Sequence, residues 1–274
     1  MSTNNILFKI KNLSCSYNNG KSCVLKIKEL EIPRGKLIIM LGKSGAGKST
    51  ILETLGLMNM TISKGSLDFF LPNCEKIDFT SIWKNEHELS KIRNDHMSFI
   101  FQNTNLMTSF SAFENACIPQ LLQGAELNTA MNNVNKVMTE LGLQEVGKNT
   151  KVNELSGGQR QRLAFVRAIT AEFTILFGDE PTGNLDEQNS RELMRKVKDQ
   201  LIEKGGSSIL VTHNIKLATE FADMILVLTK TKEYGEILPE NVFMCKNHQA
   251  NKTWENLKGE KFKQIENTLH EKLL

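Results

Sequence analysis

The 274-residue sequence has few of the features that mark secreted or membrane-spanning proteins. Its longest apolar runs, 37–41 and 224–228, are far shorter than the roughly 18 residues that a membrane-spanning helix needs. The N-terminal residues have no basic region followed by an apolar stretch, as a secretory signal would. We therefore expect a chain that is neither secreted nor integral to a membrane.

Cysteine is scarce, and neither sign of charge dominates. The five cysteines are widely spaced and contain no C-x-x-C pair, which argues against a disulfide framework or a zinc site and favours reduced thiols in a cytosol. Lys and Arg number 34 against 31 Asp and Glu, and the basic residues are scattered among the acidic ones. Nucleic-acid binders usually concentrate basic residues on one face, so we expect no direct binding of DNA or RNA.

Short runs rich in Ile, Val, Leu and Phe recur with helical segments between them, which predicts an α/β fold around a mostly parallel sheet. The predicted strands are 36–41, 97–101, 173–177, 208–211 and 223–228. The opening stretch, 6–32, alternates apolar and polar residues and is broken at Asn18-Asn19-Gly20. This alternation predicts an added antiparallel β subdomain.

Two regions show helical spacing instead. Between about 86 and 167 we expect a helical insertion within a main domain of 1–230, because apolar residues recur there with the period of an amphipathic helix: Leu127, Met131, Val134, Met138 and Leu141. After Thr229 the sheet pattern ends, and 231–274 is expected to be a partly helical C-terminal extension. Its apolar stripe is Leu257, Phe262, Ile265, Leu269 and Leu273. This stripe would pack on its own domain or contact a partner or a membrane surface.

A glycine-rich segment lies between the strand 37–41 and the helix-like stretch 50–58. It fits G-x-x-x-x-G-K-[ST] and comprises Gly42, Lys43, Ser44, Gly45, Ala46, Gly47, Lys48 and Ser49, with Thr50 next. Glycines let the backbone curl so that N–H groups and a helix N-terminus point at one phosphate chain. Lys48 would reach the terminal phosphates, and Ser49 would offer its hydroxyl to Mg²⁺. An ordinary glycine-rich turn is the alternative, but the strand and helix context favours a nucleotide site.

An acidic pair follows the apolar strand 174–177. Asp179 is the expected Mg²⁺ partner, and Glu180 could accept a proton from the attacking water or orient it. Such a pair is often only a solvated turn; the phosphate-binding segment upstream favours the catalytic interpretation.

Leu155-Ser156-Gly157-Gly158-Gln159 is the most specific segment. Ser156 is a good helix N-cap, the two glycines leave the backbone open to close approach, and 160–167 continues as a helix whose N-terminus attracts anions. The segment therefore indicates a second phosphate site. The residues alone leave open whether both sites serve phosphates held within one chain.

Taken together and in this order, these motifs resemble the ABC (ATP-binding cassette) ATPase family over about 7–228. The resemblance implies the ABC ATPase form of the P-loop NTPase fold, an ATPase activity, and the use of ATP and Mg²⁺. In that family the signature segment, here 155–159, faces the nucleotide held by the P-loop of the other subunit. Two ATP molecules would then be sandwiched in a dimer, most simply a homodimer.

Smaller motifs of the family carry further implied roles. Gln102 would touch Mg²⁺ and the water, His213 would contact the γ-phosphate, Tyr17 would stack on adenine, and Asp186 would lie at the dimer seam. Gln102, His213 and Tyr17 each have a plainer alternative, respectively as a surface amide, a structural histidine and a packing aromatic. Gly178 departs from the family, which usually has a small or apolar side chain there, and this would soften the strand end.

The stretch 181–186 resembles the branch that contains lipoprotein-releasing, macrolide-exporting and cell-division ATPases. The resemblance implies a subunit that drives a separate integral membrane permease and lies at the cytoplasmic face of the membrane through that partner. The alternative is a non-transporting ATPase that regulates a membrane partner in cell-envelope processes. A cassette acting on DNA or translation would need a coiled-coil insertion or a tandem cassette, and the sequence contains neither.

Overall fold

A computed structural model describes residues 5–17, 22–183, 185–246 and 252–273; the predicted break at Asn18-Asn19-Gly20 lies outside them. The strands are β1 Ile6–Tyr17, β2 Ser22–Pro33, β3 Leu37–Gly42, β4 Ile62–Phe70, β5 Lys76–Asp78, β6 Met97–Ile100, β7 Ile175–Asp179, β8 Ser207–Val211, β9 Met224–Lys230, β10 Gly235–Glu236, β11 Val242–Cys245, β12 Trp254–Asn256 and β13 Lys261–Phe262. The helices are α1 Lys48–Leu55, α2 Phe79–Ile82, α3 Glu86–His96, α4 Ala112–Leu122, α5 Leu127–Glu140, α6 Gly157–Thr170, α7 Glu187–Lys204, α8 Ile215–Phe221 and α9 Glu266–Leu273.

The centre of the sheet is parallel, and its strands lie in the order β9-β3-β8-β7-β6. Every residue of β3 is buried, because helices cover both faces of such a sheet and leave no wet side. In register, Ile39 pairs with Leu210 on one side and Ile225 on the other. The α/β fold class and the predicted parallel sheet are confirmed.

The predicted antiparallel region is also present. β1 pairs with β2 and β4, and β4 pairs with β5, all antiparallel. The short β10 lies between β2 and β9 and joins this layer to the parallel strands. One mixed sheet therefore runs through both layers.

Helices α4, α5 and α6 pack together beside the parallel sheet. Val134 and Met138 of α5 are buried, as the amphipathic spacing predicts, whereas Leu127 is 57% exposed. The range 86–167 also contains β6, which belongs to the central sheet, and its proposed limits stay a prediction. Across the four described ranges, no helix is both long and apolar enough to cross a membrane.

The C-terminal extension combines strands with the helix α9. β11 pairs with β9 at Met224–Leu226, and β12 and β13 continue the sheet, so Phe262 of the apolar stripe lies on a strand. The reason is tertiary: β11 satisfies backbone groups along an edge of β9 that would otherwise stay unpaired. α9 packs on α8 and β9, and Leu269 is buried, so the expectation that the stripe packs on its own domain is confirmed for this helix.

Candidate nucleotide and phosphoryl-transfer site

The predicted catalytic residues converge at one edge of the parallel sheet. β3 leads into 42–49, β7 ends at Asp179, β8 leads to His213, and β6 leads to Gln102. The carboxyl ends of parallel strands meet at one edge, where α/β folds place their ligand sites. Residues that are far apart in sequence thus come together because of the strand order.

The P-loop, 42–49, curls tightly at the end of β3. Gly45 and Gly47 have φ of 71° and 93°, values that side chains with a Cβ rarely adopt. Lys48 is buried and its Nζ donates to the carbonyl oxygens of Gly42, at 2.7 Å, and Lys43, at 3.0 Å. Burial lowers the pKa of Lys48, while the nearby carboxylates of Glu180 and Asp179 oppose that shift. The ammonium is thus held over the loop, where a phosphate chain would lie.

The outer side of the P-loop is packed against neighbouring strands. A Cβ on Gly42 would lie 2.9 Å from the carbonyl oxygen of Leu228, and one on Gly235 would lie 1.9 Å from that of Ala46. Both distances are too short for a side chain of any kind, so only glycine fits at positions 42 and 235. Gly235 is a functional position that the sequence reasoning missed. Its only signal is a lone glycine, and the pairing of β10 that brings it to the loop is tertiary.

Asp179 and Ser49 form the side of the site that suits magnesium. Ser49 Oγ donates to Asp179 Oδ2 at 3.4 Å. Burial, and then the neighbouring Glu180, raise the pKa of Asp179 by more than the Ser49 hydrogen bond and the Lys48 ammonium lower it. A hydroxyl and a carboxylate are oxygen donors of the kind Mg²⁺ prefers. The described residues hold no cluster of three His, Cys, Asp or Glu side chains at metal spacing, so an ion here would complete its shell with phosphate oxygens and water.

Glu180 lies at the centre of a row of polar side chains. His213 Nε2 is 2.8 Å from Glu180 Oε1, and Gln102 Nε2 donates to Glu180 Oε2 at 3.4 Å. An ionised carboxylate only accepts, so the His213 nitrogen carries the proton of that bond. The structure therefore brings together the three residues predicted to be catalytic, although they belong to different strand ends.

Tyr17 lies at the end of β1, near the start of α1. Its hydroxyl is 3.4 Å from Thr50 Oγ1, and the residue is 40% exposed. An exposed aromatic ring beside the P-loop helix is available for stacking on a base. The adenine role of Tyr17 stays a prediction.

The signature segment forms the capped start of α6. Ser156 Oγ accepts from the Gln159 N–H at 3.2 Å, and Gln159 Oε1 accepts from the Ser156 N–H at 2.8 Å, which is the reciprocal capping box. Among the described residues, a Cβ on Gly157 would meet no atom within 4 Å, and one on Gly158 would meet only Leu185, at 3.8 Å. The predicted N-cap is confirmed, and the first glycine faces open space.

Two further predicted positions have structural contacts of their own. Asp186 caps α7 and accepts from the Asn189 N–H at 2.8 Å, a bond that lowers the pKa of its carboxyl group; its place at a dimer seam stays a prediction. A Cβ on Gly178 would lie 2.6 Å from Leu210 Cδ2. This glycine therefore allows close packing at the end of β7, so the expected softening of that strand end is not what the contacts show.

Comparison with known proteins agrees with this geometry. A protein-family model described as ABC transporter matches residues 25–183. The chain is similar to the lipoprotein-releasing system ATP-binding protein LolD of Wigglesworthia glossinidia brevipalpis, with 36% identity over 238 residues, 86% of this chain and 99% of that protein. It is also 38% identical over 214 residues to LolD of Aquifex aeolicus (strain VF5), covering 78% of this chain and 91% of that one.

Solved structures show the same likeness. The dimeric structure of MJ0796, described as a bacterial ABC transporter cassette, superposes with a TM-score of 0.71 at 27% identity, covering 93% of this chain and 100% of the other. A dimeric post-hydrolysis state of the MJ0796 cassette, bound to ADP and Pi, gives a TM-score of 0.72 at 28% identity over the same shares.

Proposed function

Because the chain belongs to the ABC transporter family, we propose that it is the ATP-hydrolysing subunit of a membrane transporter similar to the lipoprotein-releasing systems. The chain is an ATPase of the P-loop class, with ATP as its substrate and Mg²⁺ as the accompanying ion. The observation that carries the catalytic assignment is the row Gln102, Glu180 and His213 beside the P-loop.

Different residues of the chain have different roles in hydrolysis. The P-loop N–H groups and Lys48 bind the β- and γ-phosphates, and Tyr17 stacks on the base. Glu180 takes a proton from the attacking water. His213 Nε2 holds that carboxylate here, and it would donate to the γ-phosphate in its place once ATP is bound. Ser49, Asp179 and Gln102 would hold Mg²⁺, which supplies neutralisation of phosphate charge when it is bound.

The active unit in this proposal is a dimer of two cassettes. The signature segment, 155–159, has a capped helix N-terminus and a glycine whose side-chain position meets no atom of the described residues within 4 Å. It would cap the ATP held by the P-loop of a second copy, with Asp186 at the seam. ATP would hold the two chains together, and the loss of the γ-phosphate would let them separate.

The opening and closing would be delivered to an integral membrane permease. A groove beside the strand end that precedes Gln102 has an apolar part, formed by Met58, Phe99, Phe101, Pro119 and Leu122, and its lining also includes Arg93 and Arg167. Leu122 is 70% exposed and Met58 is 36% exposed, and exposed apolar clusters of this kind mark protein contacts. A short amphipathic helix of the permease would fit there, and would keep the chain at the cytoplasmic face of the membrane.

Substitution of Glu180 tests the catalytic assignment. Glu180→Gln removes the proton acceptor and keeps the shape, so we expect turnover to fall by roughly 100-fold or more while ATP binding is retained. Glu126→Gln, at an exposed site before α5, is the matched carboxylate-to-amide control and should keep full turnover. Rapid hydrolysis by the Glu180 variant would contradict the assignment.

Substitution in the groove tests whether the permease docks there. Leu122→Asp should abolish co-purification of the chain with a permease from membranes, and ATP hydrolysis by the isolated chain should stay unchanged. Leu127→Asp makes the same change at another exposed leucine and should leave co-purification intact. Equal recovery of the permease with both variants would place the docking surface elsewhere.

A further inference from the structure

The backbone at Glu180 has an unusual conformation. Its φ is 47°, in the left-handed region, which residues with a long side chain rarely occupy and which persists only where the surroundings enforce it. The carboxylate of this residue must also reach His213 on one side and Gln102 on the other. The position of the turn at 180–183 therefore decides where the carboxylate lies.

Backbone hydrogen bonds and a side-chain hydrogen bond hold this turn. The Glu180 N–H donates to the carbonyl oxygen of Val211, and the Gly183 N–H donates to that of Glu180, both at 3.0 Å. Gln161 Nε2 donates to the carbonyl oxygen of Pro181 at 2.8 Å. The third bond comes from another element, α6, and it depends on the identity of one side chain.

Packing alone does not explain a glutamine at position 161. Gln161 is completely buried, and its Oε1 has no hydrogen-bond partner within the part of the chain that the structure describes. An unpaired buried carbonyl is costly, and an apolar side chain of similar volume would avoid that cost. What the amide provides is the donor to Pro181.

The location of Gln161 connects two parts of the site. It lies in the first turns of α6, directly after the signature segment, and Leu185, beyond the turn, comes within 3.8 Å of a Cβ built on Gly158. We propose that Gln161 is a positioning residue, which anchors Pro181 to the signature helix and so holds the Glu180 carboxylate beside His213. This inference rests on the proposed role of Glu180 as the base.

The variant Gln161→Leu tests the proposal, because it removes the donor and keeps most of the volume. We expect kcat to fall at least about tenfold with little change in KM or in ATP affinity, since small misplacements of a catalytic group lower the rate without weakening binding. Ser98→Ala is the matched control: Ser98 Oγ donates to the carbonyl oxygen of Ala168 at 2.7 Å, so this variant also removes a buried bond to α6, at the other end of the helix.

Stability and non-additivity separate a positioning role from a structural one. Gln161→Leu should lower Tm no more than Ser98→Ala does. If Gln161→Leu lowers Tm by more than that, Gln161→Met serves as the second variant. In a Glu180→Gln background, Gln161→Leu should cause no additional loss in the single-turnover rate, because it acts through the missing carboxylate.

The outcomes distinguish the inference from the function on which it rests. If Gln161→Leu and Gln161→Met keep the kcat of Ser98→Ala, or if their losses add fully to that of Glu180→Gln, the positioning role is wrong and the base assignment stands. If Glu180→Gln itself hydrolyses ATP at the normal rate, the base assignment is wrong and the inference is overturned with it.

Discussion

The P-loop and the signature segment are both glycine-bearing helix N-termini, but their glycines face different surroundings. At the P-loop, the carbonyl of Leu228 occupies the space that a side chain at Gly42 would need. The carbonyl of Ala46, a loop residue, occupies the space that a side chain at Gly235 of β10 would need. At Gly157 of the signature, no atom in the described part of the chain lies within 4 Å of a Cβ built there. The first site is complete within one chain, and the second is open.

The difference shows where the requirement for glycine originates. Glycines packed against their own chain are needed for folding and for the shape of the loop. Gly157 has no such contact, and a glycine in a helix is less stable than alanine by about 0.5–1 kcal/mol. We infer that glycine is required at position 157 because another molecule approaches it from outside the chain. This agrees with a nucleotide held by a second copy.

The largest expected effect comes from substituting Gly157 with a charged residue. Gly157→Asp places a negative charge where a phosphate chain would approach, so hydrolysis should fall by roughly 100-fold. Folding and ATP binding by the monomer should be unchanged, because a Cβ at this position meets no atom of the described residues within 4 Å. Steady-state hydrolysis, thermal unfolding and nucleotide titration measure these three quantities. A loss of monomer binding would show that the signature acts within one chain.

A smaller effect is expected on the packed side. Gly235→Ala forces the Ala46 carbonyl outward, since the new Cβ would lie 1.9 Å from that oxygen, and should cost about 1–3 kcal/mol of stability. The affinity for ATP should fall with it, because the P-loop moves. Gly157→Ala is the matched control and should leave thermal unfolding and affinity near those of the parent chain. Equal unfolding temperatures for both variants would contradict the distinction between the two sites.

Removal of the aromatic ring of Tyr17 should have a still smaller effect. Tyr17→Ala is expected to weaken ATP binding by about 1 kcal/mol, a typical contribution of stacking on a base. Tyr17→Phe keeps the ring and loses only the long contact to Thr50, so its affinity should match that of the parent chain. Isothermal titration of the monomer measures both. Equal affinities of the Ala and Phe variants would exclude stacking.

The smallest expected effect is the pH dependence of the nucleotide-free chain. The pKa of Asp179 is raised in the fold, chiefly by burial, so the folded state binds this proton more tightly than the unfolded state does. The charged carboxylate therefore lowers stability at neutral pH, and this cost disappears as the pH falls through the raised pKa.

The variant Asp179→Asn isolates that cost. It should raise Tm slightly at neutral pH without nucleotide, and the difference from the parent chain should shrink as the pH is lowered. With ATP and Mg²⁺ the order should reverse, because only the parent chain has the carboxylate for the ion. Thermal unfolding across pH, with and without both ligands, measures these changes. A parent chain that is more stable without ligands at neutral pH would contradict the account.

Much of the fold was predictable because the local signals and the tertiary structure agree. The runs at 37–41 and 224–228 are fully apolar and 97–101 is apolar apart from Ser98, and a buried parallel strand needs a nearly continuous apolar pattern. Ser156 was recognisable as an N-cap from the residue type and the following helix. The C-terminal stripe has helical spacing, and α9 is a helix. The strands β11 to β13, in contrast, are fixed by an edge of β9 that no local pattern reveals.

By itself, the sequence determined the motifs and hence the chemistry: a lysine-bearing phosphate loop, an acidic pair after a strand and a capped glycine segment. Only the tertiary structure decided that Gln102, Glu180 and His213 share one row, that Gly235 lies against the P-loop, and that Gln161 reaches the turn after the base. The physical reason is that chemical type is a property of single residues, whereas distance depends on strand order and packing across the whole chain.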